Sequence, residues 1–238
     1  MKSDNSKLIL FDIDGTLLTT HGIPRRAMRR VLQKMFNNHT YDDEYNYSGR
    51  TDWEIVEHLL DFAGIDYPRT KKTLNVIFEE FAYELKVEIR NGLTPQLYIG
   101  VLDLLESLAK DSCINLGLVT GNISKGAYLK LKAIGLDKYF PIGAFGDDAK
   151  ERSNLPGIAI KRAEKYFRKK ISKKNIWIVG DSIYDIHCAQ VNDLRCLAVC
   201  TGLTSRDKLE NENPEFIVDD FQNTEKVLNI FFNNTSDR

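Results

Sequence analysis

The chain has 238 residues, and its 33 basic and 34 acidic side chains leave a formal net charge of -1. That length accommodates one large α/β domain or a core carrying a smaller one, while the balanced charge excludes the strong field that draws a protein to nucleic acid or an anionic membrane. A small-molecule partner follows, and the four cysteines, Cys113, Cys188, Cys196 and Cys200, form no CxxC pair and read as reduced thiols of a cytoplasmic protein.

The first residues are polar, and the apolar run after them stops at Asp12, which fits neither a signal peptide nor a membrane span. Residues 7–11 read as a buried parallel strand running into a glycine-containing turn. Residues 22–93 break that pattern with helical segments over 24–36, 52–63 and 69–88, a loop rich in Asn, Asp and Tyr over 37–50, and hinge-like stretches near 19–22 and 92–95. Strands then recur over 114–119, 176–179 and 194–199, alternating with helices over 97–110, 124–134, 155–167 and 183–191. This alternation predicts an α/β fold with a mostly parallel sheet covered on both faces. A helical insert interrupts it, giving a core of residues 1–20 and 95–238 and a smaller unit of 21–94. The terminal 233–238 segment is expected to fray.

Asp12 and Asp14 leave the carboxyl end of the first strand, where ligands of open α/β sheets bind. Two apart in extended chain, they project to one side, and Gly15 and Thr16 suit the turn that follows. An ordinary Asp-Gly turn is the competing reading. Gly180-Asp181-Ser182-Ile183-Tyr184-Asp185 repeats the situation at another strand end, with helix capping as the competing role. Together the four carboxylates make a hard oxygen site suited to magnesium and a substrate phosphate. Thr120, Gly121 and Asn122 supply a hydroxyl and backbone amides ahead of a helix beginning near Ser124. A cation must neutralise the remaining charge, and Lys150 and Arg152 are both candidates.

These residues resemble the haloacid dehalogenase superfamily of hydrolases, whose signature combines Asp-x-Asp-Gly-Thr, a later Ser or Thr, a Lys or Arg, and Gly-Asp-x-x-x-Asp. Here the segments are Asp12 to Thr16, Thr120, Arg152 or Lys150, and Gly180-Asp181 through Asp185, in that order. Ser48 to Asp52 and Leu97 to Val101 are similar to phosphoglycolate-phosphatase-like members. The resemblance implies a Rossmann-like core with an α-helical cap and a magnesium-dependent phosphatase acting on a small phosphorylated metabolite. It also implies that Asp12 attacks phosphorus, Asp14 serves as acid and base, Mg2+ is held by Asp12, Asp14, Asp181 and Asp185, and Thr120, Gly121, Asn122 and Arg152 or Lys150 bind the phosphoryl group. A sugar-phosphate mutase is the alternative, a non-catalytic phospho-ligand-binding protein a more distant one, and the chain is expected to act as a monomer or homodimer. The segment around Arg152 lacks the Lys-Pro-x-Pro usual in relatives, and Thr19-Thr20-His21 stands where many carry Asp-Ser.

Overall fold

Strand β1 (Lys7–Phe11) is buried along its whole length, as a strand covered on both faces must be. A computed structural model of the protein describes residues 6–232; the expected fraying of 233–238 lies outside them. In chain order the further elements are β2 (Leu18–Thr19), α1 (Ile23–Phe36), α2 (Asp52–Phe62), α3 (Lys71–Arg90), β3 (Gln96–Leu97), α4 (Val101–Ala109), β4 (Ile114–Val119) and α5 (Ser124–Ala133). They continue with β5 (Gly143–Ala144), α6 (Leu155–Phe167), β6 (Ile176–Gly180), α7 (Ile183–Val191), β7 (Arg195–Val199), α8 (Arg206–Asn211), β8 (Phe216–Val218) and α9 (Thr224–Phe232).

Six strands form one parallel sheet in the order β5-β4-β1-β6-β7-β8. Phe11 lies opposite Leu118 of β4 and Val179 of β6, so the carboxyl ends of the three central strands are level. Asp12, Thr120 and Asp181 therefore emerge side by side. The period-two alternation of a strand sends Ile9 and Phe11 to one face, with Leu104, Leu131 and Phe231, and Leu8 and Leu10 to the other, with Leu155 and Ala159.

Helices α1, α2 and α3 build a separate apolar cluster around Met28, Leu32, Val56, Leu60, Phe78 and Phe81, into which the sheet-bearing part of the chain inserts Ile123. The chain leaves and re-enters the sheet region through an antiparallel ribbon in which Leu18 pairs with Leu97 and Thr19 with Gln96. Helix α2 starts where a capping box stops solvent from competing for its first amides: Glu54 N donates to Thr51 Oγ1 at 3.1 Å, and Thr51 N donates to Glu54 Oε2 at 3.0 Å.

The predicted helix over 97–110 begins later, at Val101. Gln96 and Leu97 are committed to the ribbon, and Gly100 takes a φ of 78° that an ordinary helix does not contain. The third predicted helix starts at Lys71 because Thr70 caps it, and the short elements β5, β8 and α8 are too brief to leave a periodic signal.

Gly100 meets two constraints at once, because a Cβ there would also lie 2.0 Å from the carbonyl oxygen of Phe221. Gly100→Ala is therefore expected to lower unfolding free energy by about 2 kcal/mol or more, read from urea denaturation. A loss below about 0.5 kcal/mol would contradict the close approach.

Candidate active site

Asp12 continues β1, and its N–H donates to the Val179 carbonyl of β6 at 2.9 Å, which fixes its backbone. Asp181 follows β6, and Asp185 sits in the first turn of α7; all three are buried, and one carboxylate oxygen from each lies within 4.8 Å of the others. Arg152, also buried, donates through Nη2 to Asp185 Oδ1 at 2.5 Å and lies 3.0 Å from Asp12 Oδ1. Asp185 holds this cation while capping its own helix, since its Oδ2 accepts from Ser182 Oγ at 2.6 Å and from Ser182 N at 3.1 Å. Capping and site-building are thus one role, not competing ones. Thr16 Oγ1 donates to Asp181 Oδ1 at 3.0 Å, and Cβ atoms at Gly15 or Gly202 would fall 2.3 and 1.7 Å from Asp181 Oδ2. Two glycines therefore leave the space that this carboxylate fills.

Burial chiefly pushes the Asp12 carboxyl up to about 6, with Arg152 pulling it down and Asp185 and Asp14 adding to the rise. The Asp181 carboxyl is likewise pushed up, chiefly by its own burial and then by Asp12 and Asp185. Burial works against the charge of Arg152, but Asp185 and Asp12 outweigh it and hold the guanidinium protonated more firmly than usual. Three carboxylates and one fixed cation leave an uncompensated demand for positive charge.

The carboxylate of Asp14 turns away from this cluster. Its Oδ2 accepts from Lys130 Nζ at 2.6 Å and from Asn122 Nδ2 at 2.7 Å, and its Oδ1 has, among the described residues, only a long 3.4 Å contact from Thr20 Oγ1. Asn122 Nδ2 also donates to Thr120 Oγ1 at 2.7 Å. Gly121 is required where it stands, because a Cβ would lie 1.9 Å from the carbonyl oxygen of Arg50.

The amides at the start of α5 are not all directed at the pocket. Ile123 N donates to Asp52 Oδ2 at 2.7 Å and Ser124 N to Asp147 Oδ1 at 2.9 Å. Ile123, not Ser124, occupies the N-cap position. Asp52 also donates its own N–H to Gly121 O at 2.7 Å, and Thr51 Oγ1 donates to Lys150 O at 2.8 Å, so the start of α2 is bonded to the loops at the sheet edge.

Of the two basic candidates, only Arg152 meets the carboxylates; Lys150 is exposed and pairs with Glu57 of α2 at 2.6 Å. Lys130 was not among the residues singled out from sequence, although a signal exists. Ala127, Lys130 and Leu131 share the buried face of α5, a position where an unpaired lysine is costly. His21 lies exposed at the hinge, with Nε2 3.1 Å from Gln96 Oε1. A cavity of about 380 Å³ separates the sheet edge from the α1–α2 segment, with Asp12, Asp14 and Thr120 on one side and Tyr47 and Arg50 on the other. The Arg50 guanidinium lies over the rings of Tyr45 and Tyr184, 5.1 and 5.5 Å from their centres.

A family model described as haloacid dehalogenase-like hydrolase matches residues 9–199. The chain is 25% identical to a phosphoglycolate phosphatase of Photorhabdus laumondii subsp. laumondii, over 94% of this chain and 93% of the relative. It is 26% identical to a pyrophosphatase PpaX of Oceanobacillus iheyensis, over 95% and 98%. Among solved structures, CbbY from Rhodobacter sphaeroides in complex with phosphate superposes with a TM-score of 0.72 at 22% identity, covering 91% of this chain and 95% of that one. The chain belongs to the haloacid dehalogenase-like hydrolases.

Asp52 supplies a test of the electrostatics that is separable from the carboxylate cluster. Burial pushes its carboxyl up to about 7 from 3.8, against the opposing pull of Lys130 and of the Ile123 N–H. A carboxyl raised on folding binds its proton more tightly in the native state than in the unfolded one, so its contribution to stability falls as pH rises from about 4 to about 7. Asp52→Asn keeps an oxygen for Ile123 N and removes the titration. The variant should gain stability relative to the parent by about 1.4 kcal/mol per pH unit across the titrating range, then level off above it, in urea unfolding series between about pH 5 and pH 8. A difference independent of pH would refute the buried position of this group.

Proposed function

We propose that this chain is a magnesium-dependent phosphatase that hydrolyses a small phosphorylated metabolite through an aspartyl-phosphate on Asp12. Residues 21–94 serve as the cap over a core of 1–20 and 95–238. The observation that carries this reading is the division between two carboxylates at one strand end: Asp12 lies among Arg152, Asp181 and Asp185, whereas Asp14 faces Lys130 and Asn122. The names of relatives, phosphoglycolate phosphatase and pyrophosphatase PpaX, support phosphate-ester or phosphoanhydride hydrolysis.

The donor set fits magnesium, because the converging atoms are all hard carboxylate oxygens and three carboxylates share the one guanidinium of Arg152. Asp12 and Asp181 would hold the ion with the backbone carbonyl of Asp14, and Asp185 would support them through Arg152. The ion would supply the charge that lets a carboxylate and a phosphate approach one another.

Asp12 forms the new O–P bond as the bond from phosphorus to the leaving alkoxide breaks, and Asp14 protonates that departing oxygen. Asp14 then takes a proton from water, which attacks the aspartyl-phosphate and releases inorganic phosphate and free Asp12. Arg152, Thr120 and the Gly121–Asn122 backbone bind the equatorial phosphoryl oxygens, where charge redistributes in the transition state. Tyr47 and Arg50 on the cap side of the cavity are placed to contact the remainder of the substrate.

Two measurements test this. Purified protein with magnesium should release inorganic phosphate from at least one member of a phosphomonoester panel that includes p-nitrophenyl phosphate, and Asp12→Asn should abolish release with the unfolding midpoint retained. Substantial turnover by Asp12→Asn would remove it as nucleophile, and phosphoryl transfer to a second sugar position without free phosphate would indicate a mutase. Arg152→Ala should reduce kcat by about 100-fold or more, with Lys150→Ala within about 3-fold of the parent. The reverse order would move the phosphate-binding role to Lys150.

A further inference from the structure

Lys130, in the middle of α5, is buried to 1% side-chain exposure at the edge of the cavity. Desolvating a lysine is costly unless partners replace the lost hydration. Its partners are Asp14 Oδ2 at 2.6 Å and Asn122 Oδ1 at 2.5 Å, both of which border the cavity. Asn122 closes the triangle by donating Nδ2 to the same Asp14 Oδ2 at 2.7 Å. One oxygen of Asp14 therefore receives two donors, and among the described residues the other keeps only the 3.4 Å contact of Thr20 Oγ1.

Resting on the assignment of Asp14 as acid and base, we infer that Lys130 is a positioning residue for the reaction: with Asn122 it pins Asp14 Oδ2 and leaves Oδ1 as the oxygen that meets the leaving group. A carboxylate free to rotate about χ2 offers either oxygen in any direction. Two charge-assisted or amide donors on Oδ2 remove that freedom and keep the carboxylate from swinging toward Asp12, where a like charge repels it. Lys130 does not touch the phosphoryl group in this arrangement, since Arg152 holds the nucleophile's side of the site. The two buried cations divide the carboxylates between them: Arg152 serves Asp12 and Asp185, and Lys130 serves Asp14.

A leaving-group series separates positioning of a general acid from a purely structural role. Ester oxygens that leave easily need little protonation, and poor ones depend on it. kcat/KM is to be measured with magnesium on p-nitrophenyl, phenyl and benzyl phosphate for the parent, Asp14→Asn, Lys130→Met and the double variant, after each is checked by thermal unfolding. Lys130→Met should lose less than about 5-fold on p-nitrophenyl phosphate and about 100-fold on benzyl phosphate, mainly in kcat. The double variant should fall within about 2-fold of Asp14→Asn alone, because both changes remove one function. Lys130→Arg, which restores a buried donor, should recover part of the loss on the poorer leaving groups. Equal losses across the series, or additive effects in the double variant, would overturn the inference. If Lys130→Met does not fold, Asn122→Ala reads the same strut from its less buried end and should show the same leaving-group dependence; a flat profile there overturns it equally. A flat profile for Asp14→Asn itself would instead refute the acid–base assignment beneath it.

Discussion

Three carboxylates crowd the ends of two adjacent parallel strands, and the arrangement around them exists to make that crowding tolerable. Asp12, Asp181 and Asp185 bring oxygens within 4.8 Å of one another in a buried setting, where like charges repel far more strongly than in water. Removing the cation from such a group would leave uncompensated buried charge, a loss of about 3–5 kcal/mol in comparable cases. Arg152 is that cation. Its placement depends on Asp185, whose second oxygen is tied by Ser182 at the start of α7. The helix cap, the ion pair and the surroundings of Asp12 are thus a single hydrogen-bonded unit, and none can be changed without disturbing the others.

The sheet order turns this local chemistry into a site. Because β4, β1 and β6 are neighbours in level register, residues far apart in sequence emerge along one short edge. Glycines then permit contacts that any side chain would block: Gly15 and Gly202 enclose the Asp181 carboxylate, and Gly121 accepts the Arg50 carbonyl at its Cα. The last contact joins the helical insert to the loop that carries Thr120. Asp52 strengthens the join by donating to Gly121 O and accepting from Ile123 N. Separating the insert from the sheet edge must break these bonds and the one from Thr51 to Lys150 O, each worth about 0.5–1.5 kcal/mol net. The position of the insert is therefore tied to the loop that carries Thr120 and Gly121.

The parts of this arrangement that were legible in sequence are those with local or periodic signals. β1, β4, α6 and α7 have the limits that apolar runs and turn residues gave, because each is a complete strand or helix bounded by glycine or a polar turn. Asp12, Asp14, Thr120, Asp181 and Asp185 stand out because they follow strands. What sequence left open depended on contacts between distant segments. Nothing local distinguishes Arg152 from Lys150, two residues apart; only the fold sends one into the carboxylates and the other to Glu57. Asp52 looks like a first-turn helix residue, and its role at Ile123 N requires two segments 71 positions apart to meet. The start of the helix predicted over 97–110 differs for the same reason, since Leu97 is strand only because Leu18 lies beside it.

Lys130 joins these points. A helix at the sheet surface normally turns apolar residues inward, and α5 breaks that rule at one position whose charge is matched within hydrogen-bonding distance by Asp14 and Asn122. Two aspartates separated by a single residue need opposite treatment if one is to attack and the other to carry a proton. A strand end can point both the same way, but it cannot give them different surroundings. That difference comes from elsewhere in the chain: Arg152 approaches Asp12 from the segment after β5, Asp185 from the first turn of α7, and Lys130 approaches Asp14 from α5. The motif at the end of β1 thus supplies the two carboxylates, and the packing of the elements around it assigns them distinct environments.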